Sequence, residues 1–554
     1  MKKIKRTLLC AVAACTMVLS ACGDKSGAEV NTDPLPEYDF SERVDGTDYI
    51  YTMDKVNDCV RLDYYLGTET QVVIPETIEG KKVVYVGGNA FYRNDEIVSV
   101  TIPEGVIAIG DSAFCECDRL TKVTMPNTVR VIRNYAFSEC VALTEIKLSD
   151  NLQDIGYGAF EGCISLKEIT FPKSVESVGG VAFGGCTGLK KATFTGDVKA
   201  YATNIFIGCD SLSKFKGPKW MREDNTHSAK IEVPEGITKI AEGAFYGLED
   251  ITEVVIPDSV KEIGRIAFAS CPKLDNLTLP NGITVIHDKT FSLSEGLTKI
   301  KIPEGVTVIE EEAFSHCENL KGISLPDSLT TLGNGVFAYC TSLSDVKLPS
   351  GVKSMGEEIF RECSSLTSLD LPKGITEIGE FAFFSCQKLE SIVIPDTVKT
   401  VGNMAFGDCT GLKSVTIPEG VTSIYYHVFD NCTGLTSVVI PDSVTDLGEG
   451  AFSECVGLKE VKLSKGLKIL PSTLFYRCDA LKEIVIPEGV ETIFDGAFGY
   501  CASLESVTFP SSLVSASDNI LQGSRNLKTI KTVSGSYADQ WARKNGFASL
   551  VVNK

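Results

Sequence analysis

Cysteine is the residue type best placed to do chemistry in this chain, with 20 among 554 residues. Its spacing decides which chemistry. Fifteen fall in one recurring slot, five at 23-residue intervals from Cys117 to Cys209 and ten more from Cys271 to Cys501. A disulfide needs sulfurs about 2.05 Å apart, whereas equivalent side chains of stacked repeats run parallel and stay a repeat apart. A structural zinc site needs four ligands converging tetrahedrally, which a straight column does not supply. The slot also takes Leu248, Ser294 and Ser524, with Asn94 as the exception. It therefore reads as a place for a small or apolar filler, and its cysteines as buried free thiols that behave as small hydrophobes. Cys59, outside the slot, is the one to watch for oxidation.

Nothing else in the chain assembles a reaction centre. Of the four histidines, His287, His316 and His427 occupy different slots of different repeats, around convex and corner regions, and read as solvated surface residues. There is no Gly-rich phosphate loop, His-Glu-x-x-His segment or Gly-x-Ser-x-Gly strand-to-helix turn. The carboxylates are spread over outward positions, where a solvated face is the default. No catalytic residue, metal site or cofactor is expected, and the chain does not read as an enzyme. A net charge of −20 and a pI near 4.8 oppose binding to nucleic acid or an anionic membrane through a basic patch.

The elements that position these residues are copies of one unit, seen in Val439–Val461, VIPDSVTDLGEGAFSECVGLKEV. A fixed 23-residue period means a solenoid in which each unit buries its apolar face by stacking on its neighbours. Ile440, Val444, Leu447, Ala451, Phe452, Cys455, Leu458 and Val461 point inward. Val438 and Ile440 alternate with Ser437 and Val439 across the repeat junction, which predicts a short strand with one buried face, stopped by Pro441. Ala451, Phe452 and Cys455 lie at i, i+1 and i+4, which predicts a short helix over Glu449–Glu454. The expected fold is thus an α/β solenoid of nineteen coils, with a parallel β-sheet on one face and short helices or turns on the other. At the strand spacing of a sheet it should be roughly 90 Å long.

The outward strand residues form a ribbon of low charge in the middle of the array: Ser368, Ser391, Ser414 and Ser437 in one column and Val393, Thr416 and Val439 in the next. Such a ribbon could accept an extended protein or glycan over many weak contacts, or be a solubilised face with no ligand.

The pattern Leu-x-x-Val-x-Ile-Pro-x-x-Val-x-x-Ile-Gly-x-x-Ala-Phe-x-x-Cys resembles the BspA-like class of bacterial leucine-rich repeats, over residues 73–215 and 232–530. Phe holds its slot from Phe91 to Phe498, and Leu521 replaces it in the last unit. The resemblance implies a non-catalytic surface protein used for adhesion, binding proteins or glycans of host matrix, host cells or other bacteria; a monomer is expected.

The flanks point to the cell envelope. Residues 1–21 carry Lys2, Lys3, Lys5 and Arg6 before the mostly apolar run Leu8–Leu19, the order of a secretory signal. Leu19-Ser20-Ala21-Cys22 resembles a bacterial lipobox, which implies lipidation of Cys22 and a lipid as the only membrane contact. Residues 22–40 read as a polar tether, residues 41–72 as a β cap, and residues 531–554 as a C-terminal cap with a helix. Residues 216–231, KGPKWMREDNTHSAKI, interrupt the array. They read as a binding loop or hinge, or as an insertion whose Trp220 covers an imperfect coil junction.

Overall fold

The computed structural model describes residues 40–553. The signal, Cys22 and most of the tether lie outside the described residues. Within them the coils stack as a parallel-sheet solenoid. At the repeat junctions, that at residues 368–370 apart, the expected short strand forms, as at Ser437–Val439 with one face buried, which pairs in parallel with the next coil at Val438↔Val461. Each coil also carries a second, two-residue strand that the spacing did not announce. Asp446–Leu447 pairs with Ser423–Ile424, Ile424 lying beside Leu447.

The helix expected over Glu449–Glu454 does not form; the segment is a run of turns. Gly450 (φ 62°) and Glu454 (φ 54°) sit in the left-handed region, which no α-helix tolerates repeatedly. The alternate amides of Gly450, Phe452 and Glu454 donate to the carbonyls of Ser472, Leu474 and Tyr476 in the next coil, at 3.0, 3.0 and 2.7 Å. A helix would have turned them back four residues along its own chain. Ala451, Phe452 and Cys455 still point inward, so the apolar spacing was satisfied by a different backbone. Among the described residues the one α-helix is Tyr537–Lys544.

Phenylalanine fills the centre of the stack. Phe383, Phe406 and Phe429 are fully buried, their ring centroids 5.1 and 5.3 Å apart and the planes within 4° of parallel. The coils press together closely after the second strand wherever glycine holds that place. A Cβ on Gly448 would lie 2.3 Å from the carbonyl carbon of Tyr425.

At the interruption the arrays join directly. Tyr201↔Ile240 continues the second ladder, Gly180 N–H donates to Glu242 O at 3.2 Å, and the Tyr157 and Tyr246 rings meet edge-on at 5.1 Å. The inserted segment packs alongside. Met221 is fully buried, the Asn225 amide donates to Asn204 Oδ1 at 2.9 Å, and Trp220 lies 4.9 Å from Tyr201. Tyr201 in turn lies 5.7 Å from Phe245, so Trp220 and Tyr201 extend the aromatic column of the second array at its start.

The ends carry different elements. Phe40–Asp45, Tyr49–Asp54 and Cys59–Tyr65 form an antiparallel meander, and Cys59–Tyr65 pairs in parallel with Lys81–Val86. At the far end Ser536 Oγ accepts from the Asp539 amide at 3.3 Å and caps the helix. Trp541, buried beneath that helix, donates from Nε1 to Ser517 O at 3.1 Å.

Candidate binding face

The backbone groups of the junction strands are spent on the ladder, so this face meets its surroundings through side chains alone. Alternation puts every second one outward. Ser391↔Ser414 and Val393↔Thr416 are rung partners, and Ser437 and Val439 occupy the same two columns one coil on, paired with Glu460 and Lys462. All six are exposed, Val393 at 66% and Val439 at 55%. Ser368 is exposed in a coil whose junction segment makes only an isolated bridge, Asp370 to Val393. Trp220 is not on this ribbon; it packs half-buried at the array junction. The valine column also runs further than the sequence reading took it, to Val485, 60% exposed and paired with Thr508. Its place in the repeat was the available signal, masked by Lys462 between.

The thiol column is placed for structure. All fifteen slot cysteines donate Sγ–H to the carbonyl of the Phe 26 residues earlier, as Cys432 does to Phe406 O at 3.2 Å and Cys455 to Phe429 O at 3.1 Å. Ser294 and Ser524 donate to Phe268 O and Phe498 O in the same way. The expectation of a mere small or apolar filler is therefore corrected: the slot selects a donor for a buried carbonyl. Its exceptions support this, because Asn94 and Leu248 open the two arrays, where Thr68 and Arg222, not Phe, stand 26 residues before them. Burial pushes the Cys409 thiol up to about 12, far from the thiolate that nucleophilic or metal chemistry needs. The cysteines of the described residues are free. Cys59 is buried, and burial, reinforced by Asp54 and Asp58, pushes its thiol up to about 11.

None of the three repeat histidines is the solvated residue expected, His287 least of all. His287 is buried at 8% exposure, with Nδ1 3.1 Å from Glu310 Oε2, because its slot is the tight corner that glycine usually fills. His316 is half-buried, stacked 4.2 Å from Tyr339, and His427 is half-buried against Gly450. Among the described residues no three His, Cys, Asp or Glu converge on a metal position, and no helix is long and apolar enough to cross a membrane.

The repeat pattern matches a known family. The BspA type leucine rich repeat region matches residues 83–218, 224–344, 330–455 and 423–538. Among solved structures, a leucine-rich repeat protein from Bacteroides ovatus is 24% identical, with 94% of this chain and 99% of that one covered and a TM-score of 0.30. The T. pallidum leucine rich repeat protein is 29% identical over 42% of this chain and 91% of its own, TM-score 0.31. A leucine rich cell surface protein from Faecalibacterium prausnitzii is 22% identical over 92% and 98%, TM-score 0.24. No curated protein matches the chain. With the family pattern spanning both arrays and each of its slots occupied as the coil requires, the chain belongs to the BspA-type leucine-rich repeat family.

Proposed function

We propose that this is a non-catalytic bacterial surface protein, held to the envelope by a lipid on Cys22, whose junction-strand face binds protein or glycan of host matrix, host cells or other bacteria. The observation that carries this is the column of Val393, Thr416, Val439 and Val485, with valines 55–66% exposed on a rigid sheet. Repeated apolar side chains held in water are more often an interaction surface than a solubilised one. The basic residues Lys2, Lys3, Lys5 and Arg6 followed by the apolar run Leu8–Leu19, the order of a secretory signal, support an envelope location.

The first array favours a second role, a rigid spacer. Across one rung of its outward face Lys191 pairs with Glu168 at 3.2 Å. The test is binding of the full chain to immobilised matrix proteins, mucins and bacterial cells, beside a V393E/V439E/V485E variant. Saturable binding that the variant loses supports an adhesive face. Absence of binding by the parent to any of them leaves the spacer role.

A further inference from the structure

An asparagine followed by glycine can react with its own backbone, because a glycine without a Cβ lets its amide nitrogen swing onto the preceding side-chain carbonyl. The chain has three such pairs, Asn281-Gly282, Asn334-Gly335 and Asn545-Gly546. The fold holds two of them. Asn334 Oδ1 accepts from the Glu357 amide at 3.0 Å, and Gly335 N–H donates to Glu357 O at 2.8 Å. At the end of the helix Asn545 Nδ2 donates to Trp541 O at 3.0 Å, and Gly546 N–H to Arg543 O at 3.4 Å. In both pairs the groups that would have to meet are bonded elsewhere.

Asn281-Gly282 lies in the corner that leads from Asn276–Leu277 to the second strand Val285–Ile286. Asn281 is exposed, and among the described residues neither its side chain nor Gly282 N–H has a hydrogen-bond partner. The turn itself is also left open. In the coils on either side the Val260 amide donates to Pro257 O at 3.1 Å and the Val306 amide to Pro303 O at 3.3 Å, whereas Ile283 makes no such bond to Pro280 O. The Lys261 side chain lies where a Cβ of Gly282 would stand, with Nζ donating to Asp258 O at 2.9 Å. A cation beside the Gly282 amide favours loss of its proton.

We propose that Asn281 is a site of spontaneous deamidation, converted in the folded protein to aspartyl and isoaspartyl forms. The Gly282 nitrogen, its proton lost to water, attacks Asn281 Cγ. The N–Cγ bond forms, the Cγ–Nδ2 bond breaks, and ammonia leaves with a proton from water, closing a cyclic imide. Water then opens the ring at either carbonyl. Attack at Cγ restores the original main chain with aspartate at 281, the residue that Asp258 and Asp327 supply in the same slot of nearby coils. Attack at the main-chain carbonyl routes the backbone through the former side chain and lengthens the corner by one carbon. Either product adds a carboxylate to a chain of net charge −20.

The test incubates the full chain at mildly alkaline pH and follows each Asn-Gly pair by peptide mass spectrometry after digestion in acid. Asn281 should lose its amide roughly tenfold or more faster than Asn334 and Asn545, each of which must first give up two hydrogen bonds. In denaturant the three rates should converge. Aspartyl and isoaspartyl peptides should both appear, distinguished by retention and fragmentation. G282S, which places beside Asn281 the residue that follows Asp258 and Asp327, should slow the reaction by crowding the attacking nitrogen. Equal rates at the three pairs in the folded chain overturn the inference. So does a gap that persists in denaturant, since local sequence and not the fold would then set it. Aspartate without isoaspartate overturns it as well, because direct hydrolysis forms no ring.

Discussion

Cys432 and Phe406 belong to successive coils, and the thiol of one satisfies the carbonyl of the other at 3.2 Å. Phe406 O keeps a second donor in the Cys409 amide at 3.3 Å, so removing the thiol costs one net hydrogen bond, about 0.5–1.5 kcal/mol. Cys432→Ala should therefore lower unfolding free energy by that order, and Cys432→Ser, which keeps a donor as Ser294 does, should cost less; serine proving the worse substitution would unseat the donor role. Glu161 provides a second residue-level expectation. Burial, and then the like charge of Glu139 one coil back, push its carboxyl up to about 7. The folded chain therefore keeps a proton that the unfolded chain has already released, so stability is greatest below the ordinary glutamate range and declines as pH rises towards and through 7. Calorimetry across that range should show the first array melting lower as pH rises, and Glu161→Gln should flatten the dependence.

At the scale of the coil, stacking replaces the local hydrogen bonding of a helix. Away from the array ends each slot Phe ring has a ring above and below it, and Phe406 sits between Phe383 and Phe429 at 5.1 and 5.3 Å. Phe406→Ala should cost about 3–5 kcal/mol. In a one-dimensional array the damage concentrates at the two neighbouring interfaces. Amide exchange should accelerate around Phe383–Phe429 and remain at the parental rate near Phe137; uniform acceleration along the chain would contradict nearest-neighbour coupling. The same stacking seals the thiols. Cys386, Cys409 and Cys432 are inaccessible and should react with a thiol reagent only once those coils open.

For the whole molecule the ends matter most, since an open solenoid offers its last ladder to any passing strand. Thr529–Thr532 is covered by Val551–Asn553, which pairs with it in parallel. Trp541 closes the core beneath, 5.7 Å from Phe509 and 5.9 Å from Phe547. A chain shortened to end before Ser534 should expose that edge and associate with rising concentration in size-exclusion chromatography. The parent, covered there and carrying a charge of −20, should stay monomeric.

What the sequence determined by itself was the direction of each side chain. A 23-residue period with Phe, Ala and Cys in set places is enough to say which residues face inward, that coils stack, and that junction strands such as Ser437–Val439 bury one face. Periodicity records inside against outside, and burial is the dominant force on composition. What only the tertiary structure decided was the partner of each polar group. Amides at Gly450 and Phe452 bond 22 residues ahead, not within a helix, and Cys thiols donate to a carbonyl 26 residues back. His287 lies buried on Glu310. Hydrogen bonds and ion pairs across coils join residues distant along the chain, and local spacing carries no record of which atoms meet when one coil settles on the next.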